Sequence, residues 1–577
     1  MRSTGDMVAR AIALAMGVAG VAARFYALLQ RGSLWQDEAT LALNVLGRSY
    51  GALLAPLDWA QTAPPLYLWL VRATATMLGG REWTFRLWPF LAGAALLPLV
   101  WFLARRVAGA WVGAIAVSAA AGSQFAMHFA VEGKPYATDA VVAAALLCCA
   151  AVVLEAPARA VAWRWLAVAG LAGLAASASA MFVLAAIGTA LLADRGLRAD
   201  AAARRRLLVM GAIWIAWFGV LYVLVYRASA ASAYLRDYWD VVMLHPTAPN
   251  LGSRMAWRLL ELTWSPLRLT EPVVGLVAGV AAWLAGLAVV ARRKPAYALL
   301  LGGPPLLTAI ASVLGLYPFA GRLLLFAVPG VWIAEAAAVN WGVDRLRGIV
   351  AQIATWSGAA RRAGSTPRGV VAWPAAACLL LAVLTWQDAW GFLRSPDLWP
   401  VDPTRELFDT VRERAARGHA TVYVHARAAA PWVYATTDWR DPDLARLARY
   451  RAFSGAVDAP AFENLARERA VVPGDGEPLV LRAGDRVELI GLAAGIHHQH
   501  IGRPSPFVPS PGWAEEEARR LLAAADPEVW LVASHFFVGT RADELAPLLA
   551  AAREAGLEVV EELGGGDAVA LRLRRSL

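Results

Sequence analysis

Two adjacent carboxylates, Asp37 and Glu38, follow the first long apolar segment, within the sequence LWQDEA at residues 34–39. A carboxylate at a boundary between water and membrane can act as a general base toward an incoming hydroxyl group, because burial and nearby charges set its pKa. Acidic residues are also common in the first turn of a helix, where they favour the helix dipole. The pair by itself leaves both interpretations open.

A second polar motif, EGKPYA at residues 132–137, interrupts another apolar stretch and contains Lys134, one of only two lysines in the chain. The lysine ammonium is a compact point charge that suits a phosphate group. The alternative is a lysine that reaches toward the membrane surface and pairs with Glu132. A third motif, YPFAGR at 317–322, ends on Arg322, whose planar guanidinium matches phosphate oxygens but could also anchor a helix at the interface.

The elements that carry these motifs are predicted to be membrane-spanning helices. Of the 577 residues, 59% are hydrophobic and 17% are charged, which excludes an ordinary soluble protein. A helix needs about 20 apolar residues to cross the hydrocarbon layer. Eleven segments are predicted spans: 7–29, 87–104, 109–129, 137–155, 163–180, 181–193, 207–226, 272–291, 296–316, 322–341 and 369–390.

The positions of the basic residues predict the orientation of these spans. Residues 1–391 carry a net charge of +15 and residues 392–577 one of −5, and the basic clusters punctuate apolar runs. Because cytoplasmic loops collect arginine and lysine, the N-terminus is expected in the cytoplasm and the C-terminal region outside. Nucleic-acid binding, which needs a solvated cationic face, is a poor explanation of this charge. We expect a multi-pass protein of the bacterial cytoplasmic membrane.

On this topology, Asp37, Lys134 and Arg322 all lie at the outer face. Residues 30–86 form one long outer loop, in which the apolar stretch 63–79 is predicted to be an interfacial helix, since it contains Arg72 and offers too few residues for a span. The outer loop 227–271 adds Tyr234 and Asp237 as candidate substrate-binding residues.

A base and two cations at one membrane surface suit the transfer of a group whose leaving partner is a lipid-linked phosphate, because two cations can neutralise the departing phosphate without a metal ion. A divalent metal is therefore not predicted. The histidines at 497, 498 and 500 have neither a cysteine nor a clear carboxylate partner nearby in sequence, and no cofactor is expected.

Residues 392–577 are predicted to form a separate extracytoplasmic α/β domain. Short β-type runs at 421–424, 529–533 and 568–573 alternate with helical stretches at 513–525 and 542–555. The transmembrane domain is accordingly placed at 1–391. No motif in the outer domain selects a partner.

In chain order, the motifs WQDEA, TAPPLYLW, EWTFRLWPFLAGA, EGKPYA and YPFAGRLLLFAVPG resemble the GT-C superfamily of polytopic glycosyltransferases. The similarity covers roughly residues 1–345. It is greatest to the bacterial branch related to protein O-mannosyltransferases (glycosyltransferase family 39) and to the lipid A aminoarabinose transferase. The resemblance implies a GT-C-like helical domain and an inverting transfer of a sugar from a polyprenyl-phosphate carrier to an acceptor hydroxyl outside the membrane.

The resemblance also implies roles for individual residues. Asp37 is the expected base and Glu38 supports it. Lys134, with Tyr136 and Arg322, is expected to bind the donor phosphate. Glu132 and Tyr317 join Tyr234 and Asp237 as candidate substrate-binding residues. The expected partners are the bilayer, the lipid-linked donor and a lipid, glycan or protein acceptor.

Two other classes of protein share some of these features. A transporter or flippase also has many helices, but it tends to show internal repeats and polar groups near the middle of the membrane. A ligase or polymerase that uses a lipid-diphosphate donor would share the outer face and the cations. The sequence leaves the sugar and the acceptor open.

Overall fold

In the computed structural model, the chain is described over residues 4–57, 61–240, 242–246, 251–263, 272–356, 368–394, 404–425, 428–436, 470–471, 479–483, 486–490, 512–534, 540–565 and 568–576. Within these ranges the first two thirds of the chain is helical, and strands occur only in the C-terminal part.

The helices before residue 394 form one bundle with short connections. They are α1 (Thr4–Gln30), α2 (Gln36–Gly47), α3 (Pro65–Leu78), α4 (Glu82–Ala108), α5 (Ala110–Gly122), α6 (Gln124–Ala130), α7 (Tyr136–Glu155), α8 (Ala160–Ala176), α9 (Ala180–Ala193), α10 (Arg195–Ala199), α11 (Ala201–Leu221), α12 (Arg227–Ala231), α13 (Ala233–Asp240), α14 (Leu251–Leu262), α15 (Pro272–Arg293), α16 (Pro295–Val313), α17 (Val328–Trp356) and α18 (Arg368–Arg394). A π-helical turn, Tyr222–Tyr226, joins α11 to α12.

Each of the eleven predicted spans contains helix, but the count of eleven crossings is not confirmed. Seven helices in the described part of the chain are long and apolar enough to cross a membrane, or eight if α5 and α6 together form one span. These two helices meet at 61°, where the Ser123 hydroxyl accepts a hydrogen bond from the Ala126 N–H. With 17 and 14 residues, α8 and α9 are shorter than the thickness of the hydrocarbon layer requires.

The predicted span 322–341 begins later than expected. Residues Gly321–Leu324 form a 3₁₀ turn, and α17 starts only at Val328. Arg322 therefore lies on an irregular segment in front of the helix, where its backbone is not tied into a regular helical face.

Close contacts between small residues bring the first helices together. Gly20 of α1 lies against Ala121 of α5, and Gly93 of α4 lies against Ala130 of α6, each so closely that a side chain on the glycine would clash. Small residues allow membrane helices to approach in this way. The second contact places the turn after α6, at residues 131–135, beside the first half of α4.

Between α1 and α4, the outer loop folds into α2, a 3₁₀ turn at Ala52–Leu54 and α3. The predicted interfacial helix corresponds to α3, whose 14 residues are too few to cross a membrane. It begins at Pro65, whose fixed φ suits the first turn of a helix. That α3 lies in the membrane interface stays a prediction.

The C-terminal region contains the predicted α/β elements. Its helices are α19 (Thr404–Arg417), α20 (Ala429–Thr436), α21 (Trp513–Ala524) and α22 (Thr540–Glu554). Its strands are β1 (Thr421–Val424), β2 (Ala470–Val471), β3 (Leu479–Ala483), β4 (Arg486–Ile490), β5 (Glu528–Ser534), β6 (Leu557–Gly565) and β7 (Ala568–Arg575). They form one mixed sheet in the order β2-β3-β4-β1-β5-β7-β6, in which β1 is parallel to both β4 and β5.

Both faces of the central strands are buried, because alternate residues of a strand point to opposite sides. Tyr423 and Leu531 pack against α21 and α22. Val422, Val424 and Trp530 point the other way, into a core that also contains side chains of α19, α20, α2 and α3. The sheet and the outer loop 30–86 therefore share one hydrophobic core.

Candidate active site

The three polar motifs of the sequence meet at one end of the helix bundle. Lys134 Nζ lies 2.9 Å from Asp37 Oδ1, and Arg322 Nη1 lies 3.5 Å from Asp37 Oδ2. Asp37 and Arg322 come from positions 285 residues apart in the chain. The side chains of Asp37 and Arg322 are 22% and 25% exposed and that of Lys134 is 5% exposed, so the group is partly accessible.

Asp37 is ionised in this setting. Burial favours its neutral form, but the charges of Lys134 and Arg322, with hydrogen bonds from Lys134 and Gln61, hold the pKa of the carboxyl below its ordinary value. Gln61 donates from Nε2 to Asp37 Oδ1 at 3.1 Å and also accepts a hydrogen bond from Lys134. Two cations thus face one carboxylate, which leaves a surplus positive charge for an anionic ligand.

Glu38 occupies a different environment from its neighbour. Arg86 donates two hydrogen bonds to its carboxylate, at 2.8 Å from Nε to Oε1 and 2.6 Å from Nη2 to Oε2, and both side chains are at most 2% exposed. The Trp35 N–H donates to the same carboxylate at 3.3 Å, so Glu38 also caps α2. Glu38 was expected to support the base. The structure encloses it with Arg86, and it positions the helix that carries Asp37.

Arg86 holds together the segment that turns from α1 into α2. Besides Glu38, it donates to the carbonyls of Gly32 and Ser33 at 2.8 and 2.9 Å. Glu38 Oε1 in turn accepts the Gly133 N–H at 2.6 Å, which ties the turn bearing Lys134 to α2. Burial raises the pKa of Glu38, but Arg86 and the other donors outweigh it and keep the pKa low, so the pair is ionised.

Arg322 lies among aromatic rings. Its guanidinium is 5.4 Å from the ring centre of Tyr136 and 5.9 Å from that of Trp239, which belongs to α13. Cation–π contacts of this kind hold an arginine in place while its N–H groups remain available. Tyr136, which was expected to assist in phosphate binding, therefore contacts the site through Arg322.

Several predicted site residues are not part of the Asp37 group. Glu132 is buried and pairs with His128, whose Nε2 is 3.0 Å from Glu132 Oε2. Tyr317 packs edge-on against Phe182, with ring centres 5.0 Å apart. The backbone of Tyr234 and Asp237 belongs to α13, but their side chains lie outside the described residues.

The site contains residues that the sequence analysis missed. Arg86 and Arg31 lie at the ends of the first spans that the predicted topology places outside, where the loop-charge rule expects few arginines. No pattern in the sequence marks Gln61. In the described part of the chain, no group of three His, Cys, Asp or Glu side chains converges as a metal site, and the histidines at 497, 498 and 500 lie outside it.

The C-terminal region contacts the segments that flank this site. Arg405 Nε is 2.6 Å from Glu82 Oε1 at the start of α4, and the Arg405 N–H donates to Ser33 Oγ at 3.0 Å. Tyr434 donates to the Gly80 carbonyl at 2.9 Å. The domain therefore braces the two segments that Arg86 and Glu38 connect.

The fold and the site together define a multi-pass helical membrane protein in which two cations face one carboxylate. Residues 62–226 match the family model described as dolichyl-phosphate-mannose-protein mannosyltransferase, which confirms the resemblance to GT-C glycosyltransferases over that segment. No curated protein matches the chain.

Three solved structures resemble the chain at low sequence identity. ArnT from Cupriavidus metallidurans bound to undecaprenyl phosphate is 16% identical, with 97% of each chain covered and a TM-score of 0.43. The oligosaccharyltransferase of Archaeoglobus fulgidus tethered with an acceptor peptide is 14% identical over 74% of this chain and 63% of its own, with a TM-score of 0.47. The mycobacterial arabinofuranosyltransferase AftD is 15% identical over 98% of this chain and 40% of its own, with a TM-score of 0.41. With TM-scores below 0.5, these three similarities do not assign an activity to the chain.

Proposed function

We propose that this protein is a membrane glycosyltransferase that moves a sugar from a polyprenyl-phosphate donor to an acceptor hydroxyl group at the outer face, with inversion. The observation that carries the proposal is the placement of Asp37 between Lys134 and Arg322 in a partly exposed site. The confirmed resemblance to glycosyltransferases over residues 62–226 supports it.

Lys134 and Arg322 would bind the donor phosphate. A sugar–phosphate–lipid diester carries one negative charge, and the lipid phosphate that leaves carries up to two. The two cations therefore interact more strongly with the transition state than with the bound donor, which is the condition for lowering the reaction barrier. The Arg322 side chain is 25% exposed, which supports access of a phosphate to this residue.

Asp37 would act as the general base. The acceptor oxygen attacks the anomeric carbon from the side opposite the phosphate, its proton passes to Asp37, and the bond between the anomeric carbon and the phosphate oxygen breaks with its electron pair on the phosphate. A single displacement of this kind inverts the configuration. No metal ion is part of this scheme, since the two cations take up the developing charge.

The donor itself would activate the base. In the free protein both cations lower the pKa of Asp37, which makes it a weak proton acceptor. A donor phosphate competes for Lys134 and Arg322, so the pKa of Asp37 rises when the donor binds. Proton abstraction is then favoured only when there is a sugar to transfer.

The decisive experiment uses the purified protein in liposomes with labelled polyprenyl-monophosphate sugar, polyprenyl-diphosphate sugar or neither. We expect release of polyprenyl phosphate, coupled to acceptor glycosylation, from the monophosphate donor. Turnover of the diphosphate donor alone would identify a ligase or polymerase. Movement of the intact lipid across the bilayer without sugar release would identify a flippase.

A further inference from the structure

Gln61 lies between the carboxylate and one of the two cations of the candidate site. Its Nε2 donates to Asp37 Oδ1 at 3.1 Å, and its Oε1 accepts a hydrogen bond from Lys134 Nζ. Lys134 Nζ is itself 2.9 Å from the same Asp37 Oδ1, so the three side chains form a closed triangle. A neutral amide thus contacts both charged groups at once.

The chemistry of the two partners determines which way the amide points. A lysine ammonium only donates hydrogen bonds, and an ionised carboxylate only accepts them. The reverse orientation of Gln61 would place its NH₂ group against Lys134 and its oxygen against Asp37, and both contacts would be repulsive. Gln61 is therefore matched to an ionised pair, which it links without adding charge to the site.

The backbone that follows Gln61 is anchored on two helices. Thr62 donates from Oγ1 to Ser229 Oγ of α12 at 2.5 Å. Ala63 is 2% exposed, and Pro64, with a φ of −63°, precedes the first residue of α3. Because the ring of proline restricts φ to this region, the chain enters α3 in one direction. The amide is thus presented to the site from a fixed segment.

The triangle divides the two oxygens of Asp37 between different partners. Oδ1 accepts from both Gln61 and Lys134, whereas Oδ2 faces Arg322 Nη1 at 3.5 Å. On the proposed function, a donor phosphate engages Arg322, and Oδ2 then loses that contact while Oδ1 keeps the one to Gln61. An acceptor hydroxyl would meet a carboxylate that is held by one oxygen and accessible at the other.

The contact with Gln61 also orients Lys134. An ammonium group has three N–H bonds in a fixed tetrahedral arrangement. In the described part of the chain, two of them are directed to Asp37 and Gln61, which determines the direction of the third. The Lys134 side chain is only 5% exposed, so it is enclosed in this arrangement rather than extended into solvent.

We infer that Gln61 is a positioning residue of the transfer reaction, which directs Lys134 to the donor phosphate and turns Asp37 so that Oδ2 receives the acceptor proton. The inference rests on the proposed function. Gln61 itself takes no proton and acts through Asp37 and Lys134. Since the amide is neutral, it keeps its hydrogen bond to Asp37 while the two cations engage the phosphate.

The first test measures the acid limb of kcat for Gln61→Met in the liposome assay. Methionine is similar to glutamine in length but donates no hydrogen bond. The bond from Gln61 favours the ionised carboxylate and helps to keep the pKa of Asp37 low, so its loss raises that pKa. Because Asp37 must be ionised to act as the base, the acid limb should move to higher pH by roughly one unit, and kcat should fall roughly tenfold.

Gln30→Met is the matched control, because it makes the same change at an exposed glutamine at the end of α1. It should keep the acid limb of the wild type. The pH of the limb does not depend on the amount of folded protein, so a partial loss of stability in Gln61→Met leaves the comparison valid. An acid limb of Gln61→Met at the wild-type pH would overturn the inference, whatever the value of kcat.

A second test measures binding and needs no turnover. Gln61→Glu adds a carboxylate, so that two cations face two carboxylates, whereas Gln61→Met leaves the charge of the site unchanged. Calorimetry with undecaprenyl phosphate in detergent should therefore show binding roughly tenfold weaker for Gln61→Glu than for Gln61→Met. Equal binding by the two variants would mean that residue 61 does not adjoin the phosphate-binding cations, which would also overturn the inference.

Failure of the proposed function gives a different set of results. If Lys134→Ala binds undecaprenyl phosphate as tightly as the wild type does, the proposed phosphate site is wrong. If the wild type releases no polyprenyl phosphate from a glycosylated donor, the proposed reaction is wrong. If the wild type is active, Lys134→Ala binds weakly and Gln61→Met keeps the wild-type acid limb, the role of Gln61 alone is refuted.

Discussion

Asp37 and Glu38 are neighbours in sequence, but the start of α2 points their carboxylates at different partners. Asp37 faces two cations in a partly exposed site, and Glu38 is enclosed with Arg86. The helix-cap interpretation therefore applies to Glu38, and the general base is proposed for Asp37 alone. A substitution of Asp37 should therefore lower turnover, and a substitution of Glu38 should lower the free energy of unfolding.

Asp37→Asn should abolish transfer and leave the fold intact. Loss of a general base typically lowers the rate by about 10²–10⁴. The measurement is turnover in liposomes, together with thermal unfolding of the same preparation. Asp240→Asn, which alters an exposed carboxylate paired with His245, is the matched control. Turnover retained in D37N would refute the role of Asp37.

The dependence of the rate on pH should differ between free protein and donor complex. Asp37 must be ionised, so activity is lost as the pH falls through its pKa. In the free protein that pKa is held below the ordinary value of about 3.9, and the acid limb of kcat/KM should lie below this pH. Donor phosphate raises the pKa, so the acid limb of kcat should lie at higher pH. Acid limbs at the same pH would contradict activation by the donor.

At the scale of elements, the Glu38–Arg86 pair joins α2 to α4 and, through Gly133, to the turn before α7. Glu38→Gln removes one charge of a buried pair and leaves Arg86 uncompensated. We expect a loss of about 3–5 kcal/mol in the free energy of unfolding, measured by thermal or denaturant unfolding in detergent. Glu155→Gln, which breaks an exposed pair with Arg106, should cost at most about 1 kcal/mol. Equal losses of unfolding free energy in the two variants would argue against a stabilising role of the Glu38–Arg86 pair.

The sequence predicted the helical segments well and their irregular joints poorly. Apolar runs set where α1, α4 and α7 lie. The bend at Ser123 and the 3₁₀ turn at 321–324 depend on packing and capping that hydropathy does not report. The convergence of Asp37, Lys134 and Arg322 was predictable, because loop charge placed all three at one face. The different surroundings of Asp37 and Glu38 were not predictable, because the partner of Glu38 is Arg86, which lies 48 residues away in sequence.

At the scale of the whole molecule, the C-terminal domain shares a core with the outer loop and braces it. Arg405→Glu should lower the rate of transfer, because it places like charges at Glu82, where the domain meets α4. The double variant Arg405→Glu with Glu82→Arg should recover much of that rate. Arg414→Ala, which removes an ion pair with Glu561 on the far side of α19, is the control and should leave the rate unchanged. If the double variant does not recover activity, the Arg405–Glu82 ion pair does not support the rate of transfer.

On the proposed mechanism the site needs residues 37, 134 and 322, so it is not complete until Arg322 has been synthesised. At roughly 5–20 residues per second, translation of the 285 residues between Asp37 and Arg322 takes on the order of 15 s to 1 min. During that time a nascent chain has its base and its lysine but lacks the arginine. On the proposed mechanism, chains whose synthesis stops before residue 322 lack one of the two cations needed to transfer a sugar from the lipid carrier.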